Sequence, residues 1–346
     1  MTGEHWNQQQ GCPLAFEVKV VGKTDVGLVR SGNEDFIHLD ENHHVYAVCD
    51  GMGGHQAGEV ASMTASETVL NAFTHFSRPL LDDSKIGINQ TLPPNGEILV
   101  KSIRLANRSI FNMALVDQAL AGMGTTIVAV ALESDIMTVA HVGDSRAYRL
   151  RQRDLEPLTK DHSWVAEIQE TQDLSEEEAS SFVGKNVITR ALGVRENVAI
   201  DCRVIKVAAG DKFILCSDGL CGFADDDEIF EVARRHQDDL EKMTADLIQM
   251  ANDRGGSDNV SIIAIEIISV DESPLPPIEV FTIKEENEDV LAAEDAWIEK
   301  LSSFSSPSGE TQSDNSSDSG TNWVMLVSIF LAFVIVAVLI LWLQTE

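Results

Sequence analysis

The chain has 346 residues, of which 44% are hydrophobic, and a formal net charge of −31. That length suits one large domain with appendages, and the apolar content is enough for a sizeable core. The acidity argues against nucleic-acid binding, which demands a basic surface, and against docking on anionic lipid through charge alone.

Residues 1–13 are polar and Gln-rich and read as a loose leader. They carry no basic segment followed by an apolar core, so no signal peptide is expected and the bulk of the protein is expected in the cytosol. The five cysteines, Cys12, Cys49, Cys202, Cys216 and Cys221, are scattered and odd in number. Neither a disulfide framework nor a structural zinc site is expected from them.

From Leu14 to Val270 the chain reads as one mixed α and β unit. Phe16–Val21 and Val45–Cys49 are strand-like, rich in β-branched residues and bounded by polar turns. Helical periodicity follows at Glu59–Phe76 and Glu97–Ala119. Thr126–Leu132 and Ile136–Val142 are the next strands, separated by so short a polar turn that they predict a hairpin. A helix is predicted over Ser163–Glu170, then strands over Ala199–Val207 and Lys212–Cys216. Asp225 followed by Glu228 predicts a capping box that starts a helix over Asp226–Arg235. Asp239–Asn252 is a further helix, and Val260–Ile268 the last strand. Strands clustered in hairpins, with helices inserted, predict an α+β fold of antiparallel sheets covered by helices.

Composition changes after Val270. Residues 271–322 hold Pro274, Pro276 and Pro277, an acidic run at Glu285–Glu288 and serine-rich stretches, and read as a linker. Trp323–Leu343 is an uncharged apolar run. At 1.5 Å per residue it would reach ~31 Å, enough to cross a membrane as a single C-terminal helix, with a tryptophan at each end. The expected localisation is therefore a membrane anchor with a cytoplasmic catalytic domain.

Five acidic fragments carry the chemistry: Arg30-Ser-Gly-Asn-Glu-Asp35, Cys49-Asp-Gly-Met-Gly-Gly-His55, His141-Val-Gly-Asp-Ser-Arg146, Cys216-Ser-Asp-Gly219 and Gly256-Ser-Asp-Asn259. Taken singly, each is an ordinary turn. Together they place carboxylates beside small residues at strand ends, where folding can gather them. Hard divalent cations take such oxygen ligands. A carboxylate such as Asp50 can bridge two cations, an arrangement suited to in-line attack on phosphorus because the metals stabilise both attacking and leaving oxygens. Arg30, expected near Asp35, is a candidate for gripping a phosphate dianion. His55 is a candidate proton donor to the leaving alkoxide, although a histidine in a Gly-rich loop also serves as a plain hydrogen-bonding spacer.

These fragments, with Asp25-Val-Gly-Leu-Val-Arg30, Gly122-Met-Gly-Thr-Thr126, Thr159-Lys-Asp-His-Ser163 and Asn186-Val-Ile-Thr-Arg-Ala-Leu-Gly193, occur in an order that resembles the metal-dependent protein serine/threonine phosphatases of the bacterial protein phosphatase 2C family. The resemblance implies a central two-sheet antiparallel β-sandwich flanked by helices on both sides and two Mn²⁺ or Mg²⁺ ions at one edge. Asp50 would bridge both metals, the Gly51 carbonyl would reach one, and Asp218 and Asp258 would hold the other. Glu34 and Asp35 would act through waters, and Arg30 would hold the substrate phosphate. Residues 161–185 would form a flap beside the site. Relatives often hold a third metal with Asp144, Asp218 and an acid four residues on; here that position is Gly222, and Asp225 and Asp226 look like helix N-cap residues instead. The implied partners are proteins phosphorylated on Ser or Thr and an opposing Ser/Thr kinase, with no nucleic acid.

Two other functions fit the sequence less well. A catalytically silent phosphoprotein-binding adaptor of the same fold would lack metal ligands, yet Asp50, Asp218 and Asp258 are all present. Another binuclear hydrolase, such as a nuclease, would want histidine ligands and basic surroundings, which are missing.

Overall fold

The computed structural model describes residues 16–54, 56–75, 92–172, 187–270 and 278–283. Twelve strands form two antiparallel sheets. One joins β1 (Phe16–Asp25), β11 (Val260–Val270), β10 (Lys212–Cys216), β7 (Arg146–Arg151) and β8 (Asp154–Pro157), in that order. The other runs β12 (Ile278–Ile283), β9 (Ile200–Lys206), β6 (Ile136–Val142), β5 (Ile127–Glu133), β3 (Val45–Met52) and β2 (Asp35–Asp40), with the short β4 (Gly124–Thr125) paired to the end of β3.

Strand alternation decides what each face meets. In β3, Tyr46 and Val48 point between the sheets, where they join Val128, Val130, Phe213, Leu215, Ile263 and Ile265. Val45, Ala47 and Cys49 point outward beneath α1 (Ala57–His75) and α2 (Pro94–Val116). On α1, Ala57, Ala61, Ala65, Val69 and Ala72 make one narrow small-residue stripe, so the helix lies close on the sheet. The opposite sheet sends Ile214, Ile262 and Ala264 against α5 (Asp226–Arg235) and α6 (Leu240–Asp253). Both faces of both sheets are thus covered. That is why the central strands read as continuous apolar runs rather than alternating ones.

The expected sandwich with helices on both sides is present. The predicted hairpin closes through Ser134-Asp135, with Ser134 at φ 55. The capping box is formed: Asp225 accepts from the Glu228 amide at 2.9 Å and Glu228 returns a bond to the Asp225 amide at 3.0 Å. Strands β2, β4, β7, β8 and β12 were not predicted. In β7 the arginines disguise the strand; Arg151 is neutralised by Asp211 at 2.5 and 2.6 Å, and Arg149 by Glu156. β12 falls inside the stretch read as linker and pairs antiparallel with β9. The sheet therefore takes up a strand beyond Val270. Among the described residues no helix is long and apolar enough to cross a membrane. The proposed membrane segment, residues 323–343, lies outside those residues.

Strand direction fixes the position of the site. β1 ends at Asp25 where β11 begins, β10 ends at Cys216 where β7 begins, and β2 begins where β3 ends. The strand ends and adjoining segments that carry Arg30, Asp50, Asp144, Asp218 and Asp258 consequently lie at one end of the sandwich.

Candidate functional site

The β2–β3 register sets Asp35 directly opposite Asp50. Like charges at facing positions repel unless something neutralises them. Burial, then the charges of Asp35, Asp218, Asp144 and Asp258, raise the Asp50 carboxyl well above the usual range. Asp35 is pushed up to about 6 by burial, with Asp218 and Asp258 adding to it, although serine hydrogen bonds oppose the shift. Ser217 provides one of these, donating to Asp35 Oδ2 at 2.9 Å. Asp218 opens α4 (Asp218–Cys221) and is raised by burial and then by Asp258; a hydrogen bond with Asp50 and the charge of Arg30 pull the other way. Asp144, in the turn before β7, rises to about 7 through burial and then Asp218 and Asp161. Its Oδ1 is buried without a hydrogen-bond partner.

The backbone around these acids is tightly specified. Thr126 and Thr125 pin the Asp50 carbonyl, with the Thr126 amide donating at 2.8 Å and the Thr125 hydroxyl at 2.9 Å. At Gly51 a Cβ would lie 2.2 Å from the Gly58 carbonyl and 2.5 Å from that of Glu34, so only glycine lets the start of α1 and the Glu34 loop approach. The Asn259 side chain is a junction. It accepts from the Glu34 amide at 2.9 Å and donates to the carbonyls of Val26 at 2.9 Å and Gly32 at 3.0 Å. Its role was missed in the sequence, where Asp258-Asn259 read as a turn. Its amide also donates to Asp258 Oδ1 at 2.9 Å.

Arg30 sits at the rim, its side chain 47% exposed. It pairs with Asp258 at 2.9 Å and reaches the Ser257 carbonyl at 3.4 Å. The fold therefore assembles Arg30, Glu34, Asp35, Asp50, Gly51, Asp144, Asp218 and Asp258 at one sheet end. His55 lies outside the described residues. Gly222 caps α4 with its amide on the Asp218 carbonyl at 2.7 Å and offers no oxygen side chain. Neither neighbouring acid replaces it: Asp225 is consumed by the capping box, and Asp226 accepts from the Tyr148 hydroxyl at 2.9 Å. The base of the expected flap is strapped down, with the His162 amide on the Gly143 carbonyl at 2.9 Å and the Thr189 amide on that of His162 at 2.8 Å. It continues into α3 (Trp164–Gln172); residues 173–186 are outside the described residues.

A partly buried all-oxygen donor set, self-repelling and with an orphaned carboxylate oxygen on Asp144, fits hard divalent cations such as Mn²⁺ or Mg²⁺. A second cluster of metal-ligand type, His141, His162 and Asp201, does not fit one. His162 Nδ1 accepts from the Gly143 amide at 3.0 Å, which leaves its Nε2 hydrogen facing Asp201 at 3.2 Å. His141 bonds the Lys160 carbonyl through Nε2 at 2.8 Å and stacks on His162, and Arg190 pairs with Asp201 at 2.8 Å. These groups brace the loop that carries Asp144.

Comparison with known proteins agrees with this geometry. A sequence model described as protein phosphatase 2C matches residues 30–261. The serine/threonine phosphatase Stp of Listeria monocytogenes is 37% identical over 247 residues, covering 70% of this chain and 94% of that protein. The crystal structure of the Mycobacterium tuberculosis serine/threonine phosphatase PstP/Ppp superposes with a TM-score of 0.62 at 33% identity, covering 72% of this chain and 99% of that one. The PstP catalytic domain solved in complex with 2 manganese ions gives a TM-score of 0.60 at 31% identity, over 73% of this chain and 99% of that one. The chain belongs to the protein phosphatase 2C family.

The raised carboxyls make a prediction for the metal-free protein. Asp35 and Asp144 hold protons more tightly when folded than when unfolded. Their contribution to stability is therefore fully present at low pH and is lost as pH rises through about 6 to 7. In chelator, Asp144→Asn should flatten the fall of Tm between pH 5 and 8 relative to wild type. Thermal melts at each pH check this; parallel curves would count against it.

Proposed function

We propose that the chain is a divalent-cation-dependent protein phosphatase that hydrolyses phosphoserine and phosphothreonine. The observation that carries this reading is the convergence of acids from separate chain segments into one buried, self-repelling cluster with an arginine at its rim. Membership of the protein phosphatase 2C family supports it, and so do the names of the similar phosphatases.

In this reading Asp50, the Gly51 carbonyl, Asp218 and Asp258 hold two Mn²⁺ or Mg²⁺ ions. When bound, the ions supply positive charge that polarises the phosphoryl group and makes water a stronger nucleophile. Glu34 and Asp35 orient water at the cluster by hydrogen bonding. Arg30 presents a planar guanidinium whose paired N–H groups match phosphate oxygens, and its exposure leaves it open to substrate. His55 donates the proton to the leaving serine or threonine oxygen. Asp144 completes the acidic wall, and with Gly222 beside it the reading stops at two cations. An adaptor function is disfavoured because every one of the assigned acids is retained.

Asp50→Asn should lower kcat on a phosphothreonine peptide by at least ~100-fold, since an amide cannot balance two cations. Chelation should abolish wild-type turnover and Mn²⁺ should restore it. Steady-state assays on both proteins check this, and a wild type that stays fully active in chelator would overturn it.

The same reading places the enzyme at a membrane through residues 323–343, with 284–322 as a tether and the catalytic domain on the cytoplasmic side. Tethering raises the effective concentration of the enzyme toward membrane-borne kinases and their substrates. Full-length protein should sediment with membranes and a chain ending after Ile283 should not. Fractionation of cells expressing each form tests this, and a soluble full-length protein would contradict it.

A further inference from the structure

The loop between β1 and Arg30 carries an unusual pairing of exposure and fixation. Leu28 and Val29, immediately before Arg30, are 68% and 69% exposed. Exposed aliphatic side chains ordinarily sit on loops that give way; here the backbone is fastened from several sides. Gly27 takes φ +80, and a Cβ there would lie 2.2 Å from the Asp258 carbonyl. The Gly27 amide donates to Asp25 Oδ1 at 2.8 Å, and the Leu28 amide to the Gly256 carbonyl at 2.7 Å. Asn259 holds the carbonyls of Val26 and Gly32, on either side of the pair. Leu28 also rests against Gly256, where a Cβ would meet its Cγ at 2.8 Å. Core packing does not account for the exposed pair, because none of the buried apolar clusters includes Leu28 or Val29.

We propose that Leu28 and Val29 form a specificity ledge that takes an apolar side chain of the substrate within about two residues of the phosphorylated Ser or Thr. The placement follows from continuity: the ledge is covalently joined to Arg30, the residue proposed to hold the phosphate, so a residue flanking the phosphate passes over it. At ~3.3 Å per residue, an extended peptide anchored at Arg30 brings its neighbouring side chains to adjacent loop residues. Because the loop is already fastened, burying its aliphatic surface costs little ordering entropy, and the removal of apolar area from water is retained as binding free energy. The inference rests on the phosphatase reading above and adds to it the substrate class that the site selects.

The test compares the holoenzyme in Mn²⁺ on two phosphothreonine peptides that differ only in flanking residues, leucine in one and serine in the other, with p-nitrophenyl phosphate as a substrate that has no flanks. Wild type should prefer the leucine peptide in kcat/KM by about fivefold or more, a size set by partial burial of two aliphatic side chains. The double variant Leu28→Ser/Val29→Ser should bring that ratio close to one, mainly through KM, while Leu28→Met/Val29→Ile should keep it. Matched thermal melts confirm that each variant is folded. A wild type with no preference, or a serine double variant that keeps the preference, would overturn the ledge. Failure of wild type to hydrolyse all three substrates would instead overturn the phosphatase reading.

Discussion

Mutual repulsion among buried carboxylates is the constraint on which this site depends. Asp35 faces Asp50 across a β-ladder, Asp218 is in hydrogen-bond contact with Asp50, and Asp144 and Asp258 close the cluster. Left alone, such a group stays partly protonated, which is what the raised pKa values of Asp35, Asp50, Asp144 and Asp218 express. Arg30 pairs with one member and cannot offset them all. A fold that keeps these acids together incurs a cost that bound cations would offset.

The sandwich supplies the stiffness to hold them. Each sheet is buried on both faces, and the acids are attached to strand ends rather than to long loops. Short polar bonds then finish the positioning. Thr125 and Thr126 set the carbonyl of Asp50, Ser217 holds Asp35, and Asn259 ties the loops of Arg30 and Glu34 to the start of β11. The His141, His162 and Asp201 brace does the same for the Asp144 loop and the base of the flap. Catalytic groups that are fixed before substrate arrives need little reorganisation during the reaction.

Much of this was legible in the sequence because central strands with two buried faces are rich in β-branched residues, and because metal-binding acids recur beside glycine and serine. Helix α5 was legible from its periodicity and its capping box. What escaped reading has specific physical causes. β7 alternates arginines with apolar residues, and its charges are neutralised only by partners distant in sequence, such as Asp211. β12 lies in a Pro-rich acidic context, and its pairing with β9 leaves no local mark. Arg30 reads as near Asp35 from closeness in sequence, but its ion-pair partner Asp258 stands 228 positions away, where no local pattern marks it. Asn259 looked like half of a turn because its side-chain bonds reach residues more than 200 positions earlier.

The most direct test is the anomalous scattering of manganese from crystals of the protein grown with Mn²⁺. The expected result is two peaks at the sheet end, both against Asp50, with Asp218 and Asp258 as further ligands. A carboxylate cluster without anomalous density, with manganese bound only elsewhere, for instance among His141, His162 and Asp201, would contradict the claim that this cluster is built to hold cations.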